Sequence, residues 1–401
     1  MKKLSILRSL CKICMFLGLI VLVTACAGNS GNGTGNAGAS ATPQKQSTTP
    51  VGNGAVTPSP GIGLGPQVCP AAVKDPAHWD PIIPTQANVS SVSTVTCGYL
   101  KGVPTLQALV TVLYQGTGRI LDVYVFDNIS AAKPTQIFKL QGLYKGDARI
   151  SVYNTVLTAE VDQNSSLNSG KPNAGLTLDL FREFKWSDSA GTLVQIIFPG
   201  IFPDLTRYQA ENDQAQVNQG HQPWKLSATL TAQAFGASLL HWDPNAPATL
   251  TSGGGAHDAQ AVVSLKNTSP GSSTVTLTMA RLEGNTNGGI WVVTEVATNG
   301  LSITQPQSAS LLHGTVTVTG TGSAFEGVIG KVTILDHLYA DIGHAQAHGA
   351  KGNGSTTFSA AVTCQPTFKT GAQEGLVMLT SENNAAGGVA GAVIIKVLIM
   401  P

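Results

Sequence analysis

Leu121-Asp122-Val123-Tyr124-Val125 sets apolar side chains at positions 121, 123 and 125 and separates them by Asp122 and Tyr124. A period of two sends alternate side chains to opposite faces and predicts a strand. Working outward, similar pieces occur at 108–114, 136–140, 148–161, 176–185 and 192–198, divided by Gly, Pro, Asn and Asp. Short strands in close succession predict an antiparallel meander over 105–202, arranged as a sandwich or a partial propeller. No second copy recurs at a fixed period, which argues against a complete propeller.

The pattern changes after Phe202. Leu205, Tyr208 and Ala215 fall on one helical face, together with polar Asn212, and predict a helix that Asp204 caps and Gly220 stops. A second helix is expected from Ser227, where Ala228, Ala232, Phe235, Leu239 and Trp242 make one stripe. Strands return in the 273–279 segment STVTLTM, where Val275, Leu277 and Met279 alternate with threonines, and again at 290–296. Two helices followed by a meander predict a small α+β unit over 204–298.

Residues 299–401 are rich in Gly and Thr, with strands expected at 315–319, 328–335, 358–362, 376–380 and 392–399. About 100 residues with such spacing suit a two-sheet sandwich. The stretch LSITQPQSASLLHGTVTVTGTGSAFEGVIGKVTILD at 301–336 carries Pro306, then Val316 and Val318 leading to Gly320, then Ala324-Phe325-Glu326-Gly327 and a strand to Asp336. Gly354, Phe358-Ser359 and Gly375-Leu376 continue the pattern. These residues resemble the immunoglobulin-like domain of bacterial sporulation and spore germination proteins. The resemblance covers about a quarter of the chain. It implies a surface or adhesive module that binds a partner, and it brings no catalytic residues. The germination-associated domain that often precedes it in that family is not visible here. Phe325 is expected to fill the sandwich, with Glu326 pairing at a strand bend and Gly327 letting the backbone turn.

The chain starts with Lys2, Lys3, Arg8 and Lys12 and no acid, then an apolar run of 13 residues at 13–25. Spanning a bilayer takes about 20 residues, so the run reads as a secretory leader. It ends Val23-Thr24-Ala25-Cys26, which resembles the lipobox of bacterial lipoproteins. The resemblance implies cleavage before Cys26 and lipidation of its sulfur, and two acyl chains anchor firmly where one does not. Residues 27–68 hold one charge, Lys45, and no aromatic residue, the composition of a flexible Gly/Ser/Thr/Pro tether. Such a coil spans about 35–40 Å.

The whole chain has 401 residues, 11% of them charged, and a formal charge of +1. Losing the basic leader takes that to −3. A mildly acidic chain with no Lys/Arg run excludes nucleic acid as a partner. Apolar residues at 42% exclude global disorder. In an oxidising compartment Cys69 and Cys97, 28 positions apart, are expected to pair. Cys364 is in phase with Phe358, Ala360 and Val362 and is expected to face a core.

Motifs for chemistry are sparse. There is no G-x-S-x-G elbow, P-loop, H-E-x-x-H or EF-hand loop. His313, His337, His344 and His348 cluster in sequence, but His344 and His348 converge only on a helix, and IGHAQAHGAKGNG is too Gly-rich for one. That stretch reads as a solvated loop, with no metal site. Asp179, Glu183, Asp188 and Asp204 are the acids from which a carboxylate pair would be drawn. Trp79, Trp186, Trp224, Trp242 and Trp291 read as core and rim rather than a sugar platform.

The expected fold class is mainly β. The order is a leader (1–25), Cys26 with its tether (26–68), a β-rich meander (69–203), an α+β unit (204–298) and an immunoglobulin-like sandwich (299–401). The expected function is that of a lipid-anchored extracytoplasmic envelope protein. It would bind an unidentified protein or cell-wall ligand without catalysis or cofactor, with a link to sporulation or germination. The competing expectation is an exported hydrolase of cell-wall or carbohydrate polymers.

Overall fold

The computed structural model describes residues 63–269, 271–283, 288–350, 354–382 and 388–401. Cys26, the leader and most of the tether lie outside the described residues. A short α1 (Ala71–Lys74) precedes a first antiparallel sheet of β1 (Ser90–Gly98), β2 (Gln107–Tyr114), β3 (Leu121–Asp127) and β4 (Thr135–Leu143), paired in chain order. A second meander follows with β5 (Asp147–Ile150), β6 (Val156–Glu160), β7 (Leu180–Ser187) and β8 (Thr192–Ile196), again in chain order.

Alternation along the strands decides the layers. Ala108, Val110, Val112, Tyr124 and Phe126 face Trp79 and Cys97 on one side of the first sheet. Leu109, Leu121, Val123 and Val125 face the other way, against Ile150, Val156, Phe184 and Leu193. The two sheets thus stack face to face through an apolar layer. The far side of the second sheet, with Leu157, Ala159 and Phe181, meets Tyr208.

Tyr208 belongs to α2 (Arg207–Asn218), and α3 (Ala228–Leu239) follows. The expected cap moves: Thr206 caps α2, accepting from Gln209 N while the Gln209 side chain accepts from Thr206 N. This reciprocal box leaves Asp204 outside the helix and free to be buried elsewhere. Val217, not Ala215, is the buried residue of the last turn. Ser227 caps α3, whose Ala228, Ala232, Phe235 and Leu239 are buried as the stripe requires. Trp242 lies past the helix end yet enters the same core.

The remaining strands are β9 (Ala248–Gly253), β10 (Gln260–Lys266), β11 (Thr274–Ala280), β12 (Val292–Thr298), β13 (Ser302–Gln305), β14 (Leu311–Leu312), β15 (Thr315–Ala324), β16 (Val328–Leu335), β17 (Asp341–His348), β18 (Gly354–Thr363), β19 (Gln373–Glu382) and β20 (Val389–Ile399). A nine-stranded sheet runs β17-β16-β19-β20-β12-β11-β10-β9, with β14 parallel to β20. The pairing of Val296 with Ile394 joins β12 to β20, so this sheet crosses the expected boundary at residue 299. The described residues from 63 to 401 belong to one compact unit. A three-stranded sheet, β13-β15-β18, covers one end of the large sheet. Val318, Phe358, Ala360 and Val362 pack there against Val332, Ile334, Val377, Leu379 and Val397, with Cys364 in the same core. The fold is mainly β, with the expected meander, α+β and sandwich parts.

Two local expectations are overturned. The segment read as a solvated loop is strand β17, because β16 offers it a full antiparallel edge from His348 to Asp341. Phe325 does not fill the sandwich; it is 49% exposed. Glu326 (φ 52°) and Gly327 (φ 87°) form a two-residue hairpin turn, closed by hydrogen bonds between Phe325 and Val328. The turn holds Phe325 at its tip, as the primed hairpin turns do. Gly320 has a packing reason: a Cβ there would lie 2.0 Å from Ser302 O of β13.

Candidate functional site

Apolar strands carry isolated charges where the second meander meets the helices and the C-terminal strands. Lys396 on β20 is 4% exposed, and its ammonium reaches Glu374 Oε2 at 2.9 Å. It also donates to the Gly200 and Leu205 carbonyl oxygens. Lys396 pairs in register with Leu376, so Glu374, two residues away, lies on its face of the sheet. Glu374 accepts from Phe198 N at 3.2 Å, and burial pushes its carboxyl up to about 7. Asp204 is 5% exposed and its Oδ2 has no hydrogen-bond partner. Burial pushes that carboxyl up to about 6, with Lys225 and Lys396 pulling it back. The Tyr339 hydroxyl donates to the Ile201 and Pro203 carbonyls at 2.9 and 3.1 Å.

A second cluster surrounds Arg207, the first residue of α2. Its Nε donates to Glu183 Oε1 at 2.8 Å and a terminal nitrogen to Glu283 Oε1 at 2.6 Å. The guanidinium lies 4.4 Å from the centre of the Tyr153 ring. Burial pushes Glu283 up to about 8 against the pull of Arg207, and the neighbouring Glu211 is also raised by burial. Glu211 in turn accepts from Val152 N at 2.9 Å.

A third cluster ties loop 162–179 to the C-terminal strands. Asp179 accepts from Asp162 N and Asn168 Nδ2, and Thr367 donates to Asp162 at 2.8 Å. His337 faces them at 1% exposure, with Phe368 edge-on at 5.6 Å and no hydrogen-bond partner on either ring nitrogen. Burial lowers its pKa, which Asp336, Asp179 and Asp162 oppose. Arg182 pairs with Glu160, and Phe181 N donates to Gln373 Oε1 at 3.1 Å.

These groups are enclosed, which fits them for holding segments together rather than for receiving a polymer. Asp179 belongs to the loop cluster, Glu183 to Arg207, and Asp204 to the lysine cluster, while Asp188 accepts from Trp186 Nε1 in an exposed turn. No two of these four acids share a cleft. Sequence reasoning missed Lys396, Glu374, Arg207 and Glu283. A single lysine inside VIIKVLI was the readable signal, because a lone charge in an apolar strand must find partners when buried.

The histidines do not converge. His344 and His348 lie on one face of β17, and His344 Nδ1 meets Asp341 at 2.9 Å. Four residues along a strand separate them by about 13 Å. Among the described residues no group of three or more His, Cys, Asp or Glu is placed to hold a metal ion. Trp79 and Trp291 are wholly buried and Trp242 nearly so.

Cys69 and Cys97 form a disulfide, with Cα atoms 5.2 Å apart. Beside it opens a groove of about 550 Å³ lined by Pro70, Tyr99, Leu106, Asp127, Asn128 and Ile129. Asp127 takes Lys101 Nζ at 2.8 Å and Gln107 Nε2 at 3.1 Å. Burial works to raise its pKa, but those two hydrogen bonds and one from the backbone hold it below the usual value. Lys101 also lies over Trp186 at 4.9 Å. The groove thus sets the apolar side chains of Pro70, Leu106 and Ile129 and the Tyr99 ring beside the fixed Asp127 carboxylate.

Among the described residues no helix is long and apolar enough to cross a membrane. No protein family model matches the chain, and no curated protein matches it as a relative.

Proposed function

We propose that this chain is a lipid-anchored extracytoplasmic envelope protein that acts as a binding or scaffolding module without catalysis. Cys26 fixes it to the membrane, and the folded region engages a protein or cell-wall ligand, with the groove beside Cys69–Cys97 as the contact surface. The observation that carries this reading is Val23-Thr24-Ala25-Cys26 at the end of a short apolar run behind four basic residues. The disulfide supports it, because such bonds persist in oxidising compartments. The burial of Glu183, Glu283, Asp204 and Glu374 supports binding over turnover, since a hydrolase needs its acids within reach of substrate. The resemblance of 301–336 to the sporulation and germination module supports a role at the spore or cell envelope.

Cys26→Ser is the test. The variant is expected to move from the membrane pellet to the soluble fraction and to stop incorporating a labelled fatty acid. A variant that stays in the pellet, or wild-type protein that takes up no label, would refute the anchor.

A further inference from the structure

Two lysines among the described residues have buried side chains, Lys396 and Lys225, each 4% exposed. Their surroundings differ. Lys396 has three acceptors, Glu374 and two carbonyls, which match the three protons of an ammonium. Lys225 has one, the carboxylate of Asp213, pressed against it from the middle of α2. Its Nζ also lies 5.4 Å from the centre of the Trp224 ring. The backbone fixes the pair. Lys225 N donates to Gln222 O, and Lys225 O accepts from Trp291 N at 2.8 Å, inside the short helical turn Pro223–Leu226. A second carboxyl, Asp204, acts electrostatically on Lys225, with Oδ2 unpartnered and the residue 5% exposed.

We propose that Lys225 and Asp213 are joined by an intramolecular amide bond, formed without a cofactor once the chain has folded. Lys225 Nζ attacks Asp213 Cγ. The Nζ–Cγ bond forms and one Cγ–Oδ bond breaks. One ammonium proton passes directly to the Asp213 carboxylate, which frees the amine to attack, and Asp204 carries the second from the nitrogen to the departing oxygen, which leaves as water. An ammonium and a carboxylate become a neutral amide and one water, so charge and atoms balance and nothing is oxidised or reduced.

Three features favour the step. The reactants are held together, and fixed neighbours react as if at effective concentrations of about 10⁵ M or more. Burial disfavours the charged amine, lowering the Lys225 pKa although Asp204 opposes it. Asp204, pushed up to about 6 by burial, both accepts and returns a proton near neutral pH. The Asp213 side chain is 22% exposed, which gives the released water a way out. At Lys396 the same reaction would leave the Gly200 and Leu205 carbonyls with at most one N–H between them, so the amide is assigned to Lys225.

The test is peptide mapping of the purified full-length chain, unfolded and reduced before trypsin. Trypsin cleaves after Arg207, Lys225 and Lys266 of an unmodified chain. The amide blocks the middle site, so the expected product is a single 208–266 peptide one water lighter than its sequence. Its backbone fragments should be missing between 213 and 225. Separate 208–225 and 226–266 peptides, or a water loss mapped elsewhere, overturn the proposal. Asp213→Ala is expected to restore cleavage after Lys225; a persisting block overturns the assignment to Asp213. Asp204→Asn is expected to lower the yield of the looped peptide at least tenfold, and an unchanged yield removes the proton relay. The wild-type map decides the main point whether or not either variant folds.

Discussion

The two faces of the second sheet are built on opposite principles. Towards the first sheet it presents Ile150, Val156, Phe184 and Leu193 to an apolar layer. Towards the helices it presents Glu183, ion-paired with Arg207 of α2, while Arg182 and Glu160, on the strand positions in phase with Phe184 and Val156, pair with each other beside Gly371 of the C-terminal region; all three are at least nine-tenths buried. An apolar layer loses stability in proportion to the atoms removed, and pH leaves it alone. A buried charged layer adds little net stability over apolar packing, yet it fails badly when one partner is lost. The charged face specifies which segments meet, because only a complete set of partners makes burial tolerable.

The largest effect that would separate the two comes from Lys396→Met. It leaves Glu374 buried without its cation and should cost about 3–5 kcal/mol in urea unfolding. Adding Glu374→Leu should recover most of the loss; a single variant as stable as wild type would erase the distinction between the faces. On the apolar side, Phe184→Ala should cost about 3–4 kcal/mol, with the same loss at pH 5.5 and pH 8. A loss that changes between those pH values would show the apolar layer coupled to the charged one.

Cys97→Ser tests a third kind of hold beneath the first sheet. Freeing the 28-residue separation should cost about 2–4 kcal/mol. The expected drop in urea midpoint should match that of wild type under a reductant, and a midpoint unaffected by either would remove the disulfide from the account.

The charged face also sets a pH profile. Burial holds Glu283 up to about 8 and Glu374 up to about 7, from an ordinary 4.5. Between those limits the folded chain binds more protons than the unfolded one. Their contribution is therefore fully present below about pH 4.5 and is lost as pH rises towards 8. His337 has the opposite sign: burial lowers it from 6.5, so its contribution is present above that value and is lost on acidification. Glu283→Gln should flatten the upper part of the profile, measured as urea midpoints across pH 5–9. An unchanged slope would mean that Glu283 stays ionised beside Arg207. The smallest effect belongs to Phe325→Ser at the hairpin tip, within about 0.5 kcal/mol of wild type. A larger loss would mean that this exposed ring is packed after all.

Strand existence was legible because alternation at 121–125 and 273–279 has only one structural reading. The strand at 341–348 was not, since its glycine and histidines look like a loop until the edge of β16 is available to pair with. The helix at 207–218 was legible, but its cap was assigned to Asp204, whereas the reciprocal bonds between Thr206 and Gln209 place the cap two residues later. The candidate site was nearly invisible. Glu183, Arg207, Glu283, Glu374 and Lys396 are far apart in sequence, and each alone reads as an ordinary surface charge, apart from the lysine within VIIKVLI.

The order of amino acids by itself determined the mainly β class, the position of two helices, the basic and apolar start ending in Cys26, and the uneven spread of charge. Those properties are local, fixed by side-chain period, turn residues and composition within a few positions. Only the tertiary structure decided that one sheet crosses residue 299, that Phe325 points to solvent, and that Lys225 meets Asp213 while Lys396 meets Glu374. Such contacts depend on which faces stack and in what register, and no window of neighbouring residues contains that information.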